Sequence, residues 1–459
     1  MLYSSTRGKD KNVKFDDVLI NGLAKDGGLY VPNKFKYFDQ KEILGFKDLK
    51  YYELAYTITY DFVKDSISSQ DYLKICKKTY EGFSEDKILS HTKLDDNELI
   101  LNLFHGPTLA FKDFALQLLG NIYDFFLKKM KTQLTIIGAT SGDTGSAAIE
   151  GCSKSELIKI FILFPHEKVS EIQRRQMTTL KKKNVFNIAI RGDFDDCQNL
   201  VKSLFERNNK KKIFNFAAVN SINWVRIMGQ IVYYFWSYLN NYGYKKNVNF
   251  VVPTGNFGNI YAGYIAKKMG LPINKLVVAS NANDVLPRFY KTGLMSKKKT
   301  IKTLSPSMDI QISSNFERLL FDFSKNMNIK ELFNNLKKNG SFFVNDKKLD
   351  EIKNFFYFGS VSDTDTINTI KQIYNDYKIV IDPHTAVGIS LGRSILGSEN
   401  LNTYLATAHY GKFIDTINES LNRKVDLPER LKSLNQKEEK FKVIENNLDL
   451  IENYISENI

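Results

Sequence analysis

The sequence predicts an α/β protein built mainly on parallel β-sheets. From about residue 100, short apolar runs alternate with longer amphipathic segments, and several of these runs lead directly into turns rich in Gly, Ser and Thr. Strands interleaved with helices in this way are typical of βαβ units. The predicted strands are Leu99–Phe104, Leu134–Ile137, Ile158–Phe164, Val185–Ile190, Val248–Val252, Leu276–Ala279 and Ile379–Ile381.

The composition of the chain indicates a multidomain globular protein, and the distribution of its charges bears on whether it binds nucleic acid. With 459 residues, 43% of them hydrophobic and 25% charged, the chain is expected to fold into about three domains. Its formal net charge of +14 would suit a nucleic-acid-binding protein, but the lysines form short separated runs such as Lys181–Lys183 and Lys297–Lys299. We therefore expect a solvated basic surface and no nucleic-acid partner.

Cysteine usage and the N-terminus indicate a compartment. Cys76, Cys152 and Cys197 are odd in number and widely spaced, so that neither a disulfide framework nor a CxxC metal site is predicted. The first residues lack the apolar core of a signal peptide, and no apolar stretch is long enough and free enough of polar residues to span a bilayer. These features favour a cytoplasmic protein that does not bind membranes.

The alternation of patterns also suggests a division of the chain. The expected parts are a mixed N-terminal segment at 1–98, a smaller α/β domain at 99–235 with Lys112 and the Ser141–Thr144 loop, a larger α/β domain at 236–427 with an insertion near 296–378, and a helical tail at 428–459.

The first motif is His105–Phe114, with the sequence His-Gly-Pro-Thr-Leu-Ala-Phe-Lys-Asp-Phe. Apolar residues continue from Phe114 at helical spacing, which predicts a helix that begins close to Lys112. The helix dipole and desolvation by Phe111 and Phe114 should both favour the neutral amine of Lys112. A neutral amine is the form that makes a Schiff base. The alternative is a surface lysine whose stem covers two core phenylalanines.

Two further motifs are glycine-containing loops between a predicted strand and a helix. Ser141-Gly142-Asp143-Thr144 follows one strand, and Gly255-Asn256-Phe257-Gly258-Asn259 follows another. Such loops present backbone N–H groups and hydroxyls to an anion. The first of these loops lacks the GK[ST] ending of a P-loop and the GxGxxG of a dinucleotide fold. Taken alone, each is equally compatible with a tight packing turn.

The fourth motif, Leu405–Phe413, is a short strand whose carboxyl end carries Thr407, His409 and Lys412. Ligands in α/β sheets bind at this end of the strands. His409 has no metal-ligand spacing around it, and we interpret it, together with His105 and His384, as a hydrogen-bonded structural histidine. No metal site is predicted.

In this order and spacing, the four motifs resemble those of the threonine synthase family, pyridoxal-phosphate enzymes of the tryptophan-synthase-β type of fold. The resemblance begins at Tyr3–Gly8, continues through Gly22–Pro32, includes Asn281–Phe289 and ends near Lys412. It implies two parallel-sheet domains of the doubly wound type around a pyridoxal-phosphate cleft, plus a mixed N-terminal segment. We expect a monomer or a homodimer.

The resemblance also implies roles for individual residues. Lys112 would be the Schiff-base lysine that later moves protons, and Thr407 would be the neutral hydroxyl partner of the pyridine nitrogen. The loop that holds the cofactor phosphate would be Gly255, Asn256, Phe257, Gly258 and Asn259. Ser141, Asp143 and Thr144 would belong to the loop that faces the substrate carboxylate and the cofactor ring. A hydroxyl at the ring nitrogen would moderate the electron-sink character of the cofactor.

The implied reaction is the conversion of O-phosphohomoserine and water to L-threonine and phosphate, a β,γ-replacement and the last step of threonine biosynthesis. The chain has Tyr410-Gly411 where the family usually has Pro-Ala, next to Lys412, a candidate for the substrate phosphate. Arg7 and the 281–289 segment are further candidates. The alternatives are a phospholyase that releases 2-oxobutyrate from the same site, and a non-catalytic binding relative.

Overall fold

A computed structural model of the chain describes residues 1–83, 87–211, 214–241, 247–324, 327–397 and 399–459, with side chains left out at 209–211. The described strands are β1 Tyr3–Ser5, β2 Tyr30–Pro32, β3 Ser90–Asp95, β4 Glu98–Asn102, β5 Leu134–Ala139, β6 Ile158–Pro165, β7 Val185–Arg191, β8 Phe216–Ala217, β9 Val248–Pro253, β10 Ile273–Ser280, β11 Leu294–Ser296, β12 Ser341–Phe343, β13 Phe356–Ser360, β14 Leu401–Ala406 and β15 Lys442–Glu445.

The described α-helices are α1 Phe15–Asn21, α2 Gln40–Leu44, α3 Tyr51–Val63, α4 Ser69–Tyr80, α5 Lys112–Met130, α6 Asp143–Cys152, α7 Glu171–Thr178, α8 Phe194–Lys211, α9 Trp224–Asn241, α10 Gly258–Lys268, α11 Val285–Thr292, α12 Phe316–Asp322, α13 Ile329–Asn339, α14 Asp346–Lys353, α15 Asp363–Tyr377, α16 Pro383–Ile395, α17 Ile414–Leu421, α18 Glu429–Lys432 and α19 Leu448–Glu457. Short 3₁₀ helices lie at Pro306–Met308, Tyr410–Phe413 and Ser433–Gln436.

Two sheets organise the molecule and confirm the predicted fold class. The larger has the strand order β13-β10-β9-β14-β4-β3, and its neighbours are parallel except for the edge pair of β3 and β4. The smaller has the order β15-β7-β6-β5-β8 and is parallel throughout. The small antiparallel pair of β1 and β2 accounts for the mixed character of the N-terminal segment.

Three motifs that are distant in sequence meet at one edge of the larger sheet. Strands β9, β14 and β4 are adjacent and parallel, so that their carboxyl ends lie side by side. The segments that follow them carry the Gly255–Asn259 loop, Thr407 and Lys112. The remaining loop follows β5 of the smaller sheet and leads into α6. Topology thus brings the predicted site residues together at strand ends, as is usual for ligand sites in α/β proteins.

Strand membership differs from the sequence-based division at two boundaries. Strand β4, where the 99–235 domain was expected to begin, belongs to the larger sheet, because it pairs with β14 over Glu98–Asn102. The expected helical tail at 428–459 contributes β15, which pairs with β7 at the edge of the smaller sheet. Only one of the four residues of β15 is buried, and so its apolar pattern is too weak to predict a strand.

Two further predictions of elements differ from the structure. Ile379–Ile381 is not a strand, since it leads irregularly into α16, whose N-cap is Asp382 and whose first residue is Pro383. The expected insertion at 296–378, of which residues 325 and 326 lie outside the described part, contains β13 at the edge of the larger sheet. This segment is therefore partly built into the sheet. By contrast, the helix predicted to begin close to Lys112 is confirmed, because α5 starts at that residue.

Helices α5 and α6 pack very closely, which fixes their N-terminal residues relative to each other. A Cβ atom on Gly120 would lie 2.2 Å from the carbonyl oxygen of Gly151, and a Cβ on Gly151 would lie 2.4 Å from that of Leu116. The two glycines let the backbones touch. Since Lys112 begins α5 and Asp143 begins α6, this contact sets the distance between the two site residues.

We predict that Gly151→Ala destabilises the protein by about 1–3 kcal/mol, because a methyl group in this contact forces the two backbones apart. Gly82→Ala is the matched control, since its new methyl would meet nothing closer than 3.8 Å. Urea denaturation of both variants gives the comparison. Equal midpoints for Gly151→Ala and the wild-type protein would contradict the packing account.

Candidate active site

Lys112 lies in a largely buried environment at the start of α5. Its side chain is 12% exposed, and Nζ lies 5.7 Å from the centroid of the Phe111 ring. Desolvation lowers the pKa of the Lys112 amine, and the charges of Lys412 and Arg226 act in the same direction, whereas Asp143 opposes them. The net shift favours the neutral amine, in the direction predicted from the sequence. Phe114 instead packs into a buried aromatic cluster with Tyr51 and Phe83.

Asp143 connects the two buried lysines of the site. Its Oδ1 accepts a hydrogen bond from Gln173 Nε2 at 2.9 Å and lies 2.9 Å from Lys412 Nζ. Its Oδ2 lies 3.5 Å from Lys112 Nζ and accepts from the Ser307 hydroxyl at 3.4 Å. Burial alone would raise the pKa of the Asp143 carboxyl, but the two lysine charges and these hydrogen bonds outweigh it and hold that pKa far below its usual range. Asp143 is therefore an anion.

Lys412 is completely enclosed. Its side chain is 0% exposed, and Nζ donates a hydrogen bond to the carbonyl oxygen of Thr108 at 2.8 Å in addition to its contact with Asp143. The Tyr410-Gly411 sequence forms the first part of the 3₁₀ helix that turns Lys412 inward. A Cβ on Gly411 would lie 2.8 Å from Leu431, because the C-terminal segment packs on this turn.

The Gly255–Asn259 loop has the geometry of an anion-binding turn. Its carbonyl oxygens are engaged elsewhere: that of Gly255 accepts from the Ser313 hydroxyl at 2.6 Å, and that of Asn256 accepts from Asn315. In the described part of the chain, the backbone N–H groups of residues 255–260 have no hydrogen-bond acceptor. These groups point from the N-terminus of α10, where the helix dipole favours an anion.

The side chains of this loop contribute in other ways. Phe257 has a φ of 62° and packs its buried ring against Phe316 at 5.2 Å between centroids, which anchors the turn in the core. Asn259 Oδ1 accepts hydrogen bonds from the hydroxyls of Tyr233 and Tyr234 at 2.5 and 2.8 Å. The backbone N–H groups, and not the side chains of Phe257 and Asn259, are therefore the groups of this loop that are available to an anion.

Thr407 follows β14 and is buried. Its carbonyl oxygen accepts a hydrogen bond from the Phe111 N–H at 2.9 Å, which ties this turn to the segment that carries Lys112. No described residue is hydrogen-bonded to the Thr407 hydroxyl. That hydroxyl is therefore available to a ligand.

The other predicted site residues have varied surroundings. Ser141 is exposed and Thr144 is half-buried, both beside the N-terminus of α6. Arg7 is held in a bidentate ion pair with Glu317, at 2.9 and 2.8 Å. Arg288 is bonded to Asp284 at 2.8 Å and to Ser296. Arg7, and Arg288 in the 281–289 segment, thus already have partners.

Sequence reasoning did not find Ser307 and Gln173, which contact Asp143. Ser307 lies on the 3₁₀ turn at 306–308, and its carbonyl oxygen would be 2.8 Å from a Cβ on Gly255. Its N–H donates to His384 Nε2 at 3.2 Å, and His384 Nδ1 lies 2.9 Å from Asp382. Nothing in the local pattern around Ser307 or Gln173 marks either residue, because their proximity to Asp143 arises only from the fold.

The histidines interpreted from the sequence as structural residues, His105, His384 and His409, all have hydrogen-bond partners. His105 Nε2 is 2.7 Å from the Ser90 hydroxyl, His384 bridges Asp382 and Ser307, and His409 Nδ1 accepts from the Gly411 N–H at 3.1 Å. Within the described residues there is no group of three or more His, Cys, Asp or Glu side chains arranged to hold a metal ion. Two surface clefts, lined chiefly by β2 with α12 and by residues 6–8 with 327–330, lie apart from the Lys112 cluster.

We predict that His409 makes the fold sensitive to acid. Burial lowers the pKa of its ring to about 4, from about 6.5 in an unfolded chain. The unfolded state therefore binds an extra proton between these values, and stability is lost as the pH falls from about 6.5 to about 4. His409→Asn keeps an acceptor for the Gly411 N–H but cannot titrate. Between pH 7 and pH 4.5, the wild-type protein should lose about 2–3 kcal/mol more than this variant in urea unfolding. Equal losses of unfolding free energy in the two proteins would show that His409 is not the source of the acid sensitivity.

Comparison with known proteins agrees with this geometry. Residues 91–331 match the family described as pyridoxal-phosphate dependent enzyme. Residues 2–80 match the threonine synthase N terminus, and residues 385–455 match the threonine synthase C-terminal family. A threonine synthase from Pseudomonas aeruginosa is 46% identical, with 100% of this chain and 98% of that protein covered. A threonine synthase from Saccharomyces cerevisiae is 40% identical, with the same coverage.

Solved structures show the same likeness. The chain superposes on a pyridoxal-phosphate-bound threonine synthase from Brucella melitensis with a TM-score of 0.96 and 41% identity, covering 99% of each chain. It superposes on the threonine synthase from Escherichia coli with a TM-score of 0.84 and 28% identity, covering 100% of each. A pyridoxal-phosphate-dependent aspartate racemase, at a TM-score of 0.51 and 10% identity, shares the fold alone.

Residues 91–331 match the family of pyridoxal-phosphate-dependent enzymes. Within this segment, a lysine and a turn suited to an anion lie at the carboxyl ends of adjacent strands. Together these observations define a pyridoxal-phosphate-dependent enzyme. The matches at both ends of the chain and the identity over its full length narrow this class further. The chain belongs to the threonine synthase family.

Proposed function

We propose that this protein converts O-phosphohomoserine and water to L-threonine and phosphate. The observation that carries this proposal is the convergence of Lys112, the 255–259 loop and Thr407 at one sheet edge, in a chain similar over its full length to threonine synthases. The enzyme is accordingly a lyase of amino-acid biosynthesis. We further propose a cytoplasmic location, which the odd number and wide spacing of the three cysteines support. Within the described ranges, no helix is long and apolar enough to cross a membrane.

The residues present fit pyridoxal phosphate. The N–H groups of 255–260, which have no acceptor in the described part of the chain, suit the cofactor phosphate. The available hydroxyl of Thr407 suits the ring nitrogen, and the amine of Lys112 suits a covalent Schiff-base link. When bound, the cofactor supplies an electron sink that stabilises negative charge at the substrate Cα.

The amine of Lys112 is the group best placed to move protons. With cofactor and substrate bound, the lowered pKa of the Lys112 amine would let it accept a proton from the substrate Cα and return one to Cα later. Loss of a proton from Cβ would accompany departure of the phosphate from Cγ. Cγ would then take up a proton and become the methyl group of threonine, water would add its oxygen to Cβ and release a proton, and Cα would be reprotonated. Thr407 would offer a neutral hydroxyl to the ring nitrogen of the cofactor. Because a hydroxyl carries no negative charge, it would not stabilise the protonated form of that nitrogen as a carboxylate would.

The Ser141–Thr144 loop is proposed to receive the substrate carboxylate. Ser141 is exposed, Thr144 is half-buried, and both lie at the N-terminus of the ten-residue helix α6, whose dipole favours an anion. The close packing of α5 on α6 fixes the position of this loop beside Lys112. A carboxylate bound here would hold the substrate amine within reach of the cofactor-binding lysine.

Product analysis tests the proposed function. The purified protein is incubated with O-phosphohomoserine in ¹⁸O-labelled water, and the products are identified by mass spectrometry. We expect threonine labelled at its hydroxyl oxygen, together with one phosphate per threonine. Formation of 2-oxobutyrate and ammonia without threonine would instead identify a phospholyase and overturn the proposal. Turnover of neither kind, with bound cofactor absent, would favour a non-catalytic relative.

A further inference from the structure

Asp143 is shared unequally by two lysines. Lys412 lies 2.9 Å from Oδ1, whereas Lys112 lies 3.5 Å from Oδ2. A charge-assisted hydrogen bond is typically about 2.7–2.9 Å long, and so only Lys412 is in close contact with the carboxylate. Gln173 and Ser307 complete the contacts of the two oxygens. Asp143 is therefore committed mainly to Lys412.

Lys412 is poorly placed to bind a substrate phosphate. Its side chain has no exposed surface, and its ammonium is held by Asp143 and by the carbonyl oxygen of Thr108. To reach a ligand, Lys412 would have to leave a buried carboxylate without its closest counter-charge, which is strongly unfavourable. The turn that carries it is also packed against Leu431. These contacts indicate a fixed role within the protein.

We propose that Lys412 is a positioning residue, which neutralises Asp143 so that Lys112 is not captured in an ion pair and the 141–144 loop can accept an anionic substrate. This inference rests on the proposed function in one respect, namely that Lys112 carries the cofactor. It replaces direct binding of the substrate phosphate by Lys412 with an electrostatic role exerted through Asp143.

Three charged groups face Lys112, and they determine the direction in which each substitution should shift its protonation. They are Asp143 on α6, Lys412 on the 3₁₀ turn at 410–413 and Arg226 on α9. Arg226 is buried and donates to the carbonyl oxygen of Val219 at 3.0 Å. Without Lys412, the Asp143 carboxylate would be free to pair with Lys112. Its negative charge would then favour the protonated form of the Lys112 nitrogen. Without Asp143, Lys412 would act on Lys112 as an unopposed positive charge.

A charge cycle on the full-length holoenzyme tests this proposal. The variants are Lys412→Met, Asp143→Asn and the double variant, and the first readout is the pH titration of the absorbance band of the lysine-bound cofactor. We expect the midpoint to rise by at least about one pH unit in Lys412→Met and to fall in Asp143→Asn. In the double variant, which lacks both charges, it should return to within about half a unit of the wild-type value.

The second readout is KM for O-phosphohomoserine. An uncompensated carboxylate should repel the anionic substrate, and so we expect KM to rise about tenfold or more in Lys412→Met and to recover most of the way in the double variant. A KM that stays equally high in the double variant, while Asp143→Asn alone has a KM close to that of the wild-type protein, would show that Lys412 binds substrate directly and would overturn the proposal. Midpoints that do not move, or that move in the same direction in both single variants, would also overturn it.

The design remains decisive if Lys412→Met does not fold. Asp143→Asn and the double variant then form the comparison, and the proposal requires a lowered midpoint in the first and its recovery in the second. Failure of the inference is distinct from failure of the proposed function. In the first case the cofactor band is present in the wild-type protein but insensitive to these charges, whereas in the second the wild-type protein has no such band on Lys112.

Discussion

Replacement of Lys112 by alanine is expected to reduce turnover of O-phosphohomoserine by at least about 10³-fold. The change removes the amine proposed to bind the cofactor covalently and to move protons at Cα, and proton transfer by a positioned side chain alone contributes about 10²–10⁴-fold. The side chain lies at the start of α5 with 12% exposure, so that its loss should leave the helix intact. Steady-state kinetics with phosphate release as the readout gives the comparison.

Lys128→Ala is the matched control, because it makes the same substitution in the same helix. Lys128 lies in the last turn of α5, is largely exposed and pairs with Asp124 at 2.8 Å. Exposed pairs of this kind contribute about 0–1 kcal/mol, and so its removal should leave activity nearly unchanged. If Lys112→Ala retained a tenth or more of wild-type turnover, another residue would have to perform the proton transfers.

Gly255→Ala is expected to weaken cofactor binding by about 10- to 100-fold. A Cβ at this position would lie 2.8 Å from the carbonyl oxygen of Ser307, and so either the loop or the Ser307 turn must move. Overpacking of this kind costs about 1–3 kcal/mol, and movement of the loop would also misdirect the N–H groups that are proposed to bind the cofactor phosphate. Titration of the cofactor-depleted protein with pyridoxal phosphate, followed by absorbance, measures the change.

Gly82→Ala again serves as the control, since its methyl group would have room. The effect of Gly255→Ala should appear in cofactor affinity more strongly than in the free energy of unfolding of the cofactor-free protein. If its affinity matched that of Gly82→Ala, the cofactor phosphate would have to bind elsewhere, and the assignment of the 255–259 loop would fail.

Local sequence patterns predicted much of the site, because each motif is a continuous segment. Apolar residues at helical spacing placed the start of α5 at Lys112, and strand-to-turn transitions located the loops after β5 and β9. The approach of these segments to one another was implied by the resemblance to a family and does not follow from any single pattern. The order of strands in the sheet, which no local sequence pattern reveals, brings them together.

The electrostatic partners of Lys112 could not be predicted in this way. From the sequence, Lys412 was a candidate for the substrate phosphate and Asp143 belonged to the loop expected to face the substrate carboxylate and the cofactor ring. In the structure, Lys412 Nζ lies 2.9 Å from Asp143 Oδ1. These residues lie on different segments, and no periodic pattern encodes their contact. The same reason applies to Ser307, which contacts Asp143 from the 3₁₀ helix Pro306–Met308.

Lys112 is proposed to carry the cofactor at the shared edge of β4, β14 and β9. Borohydride reduction of the purified holoenzyme, followed by proteolysis and mass spectrometry, tests this assignment. We predict one pyridoxyl group per chain, located on Lys112, and loss of the absorbance band on reduction. A pyridoxyl group on another lysine, or none after addition of pyridoxal phosphate, would contradict the account.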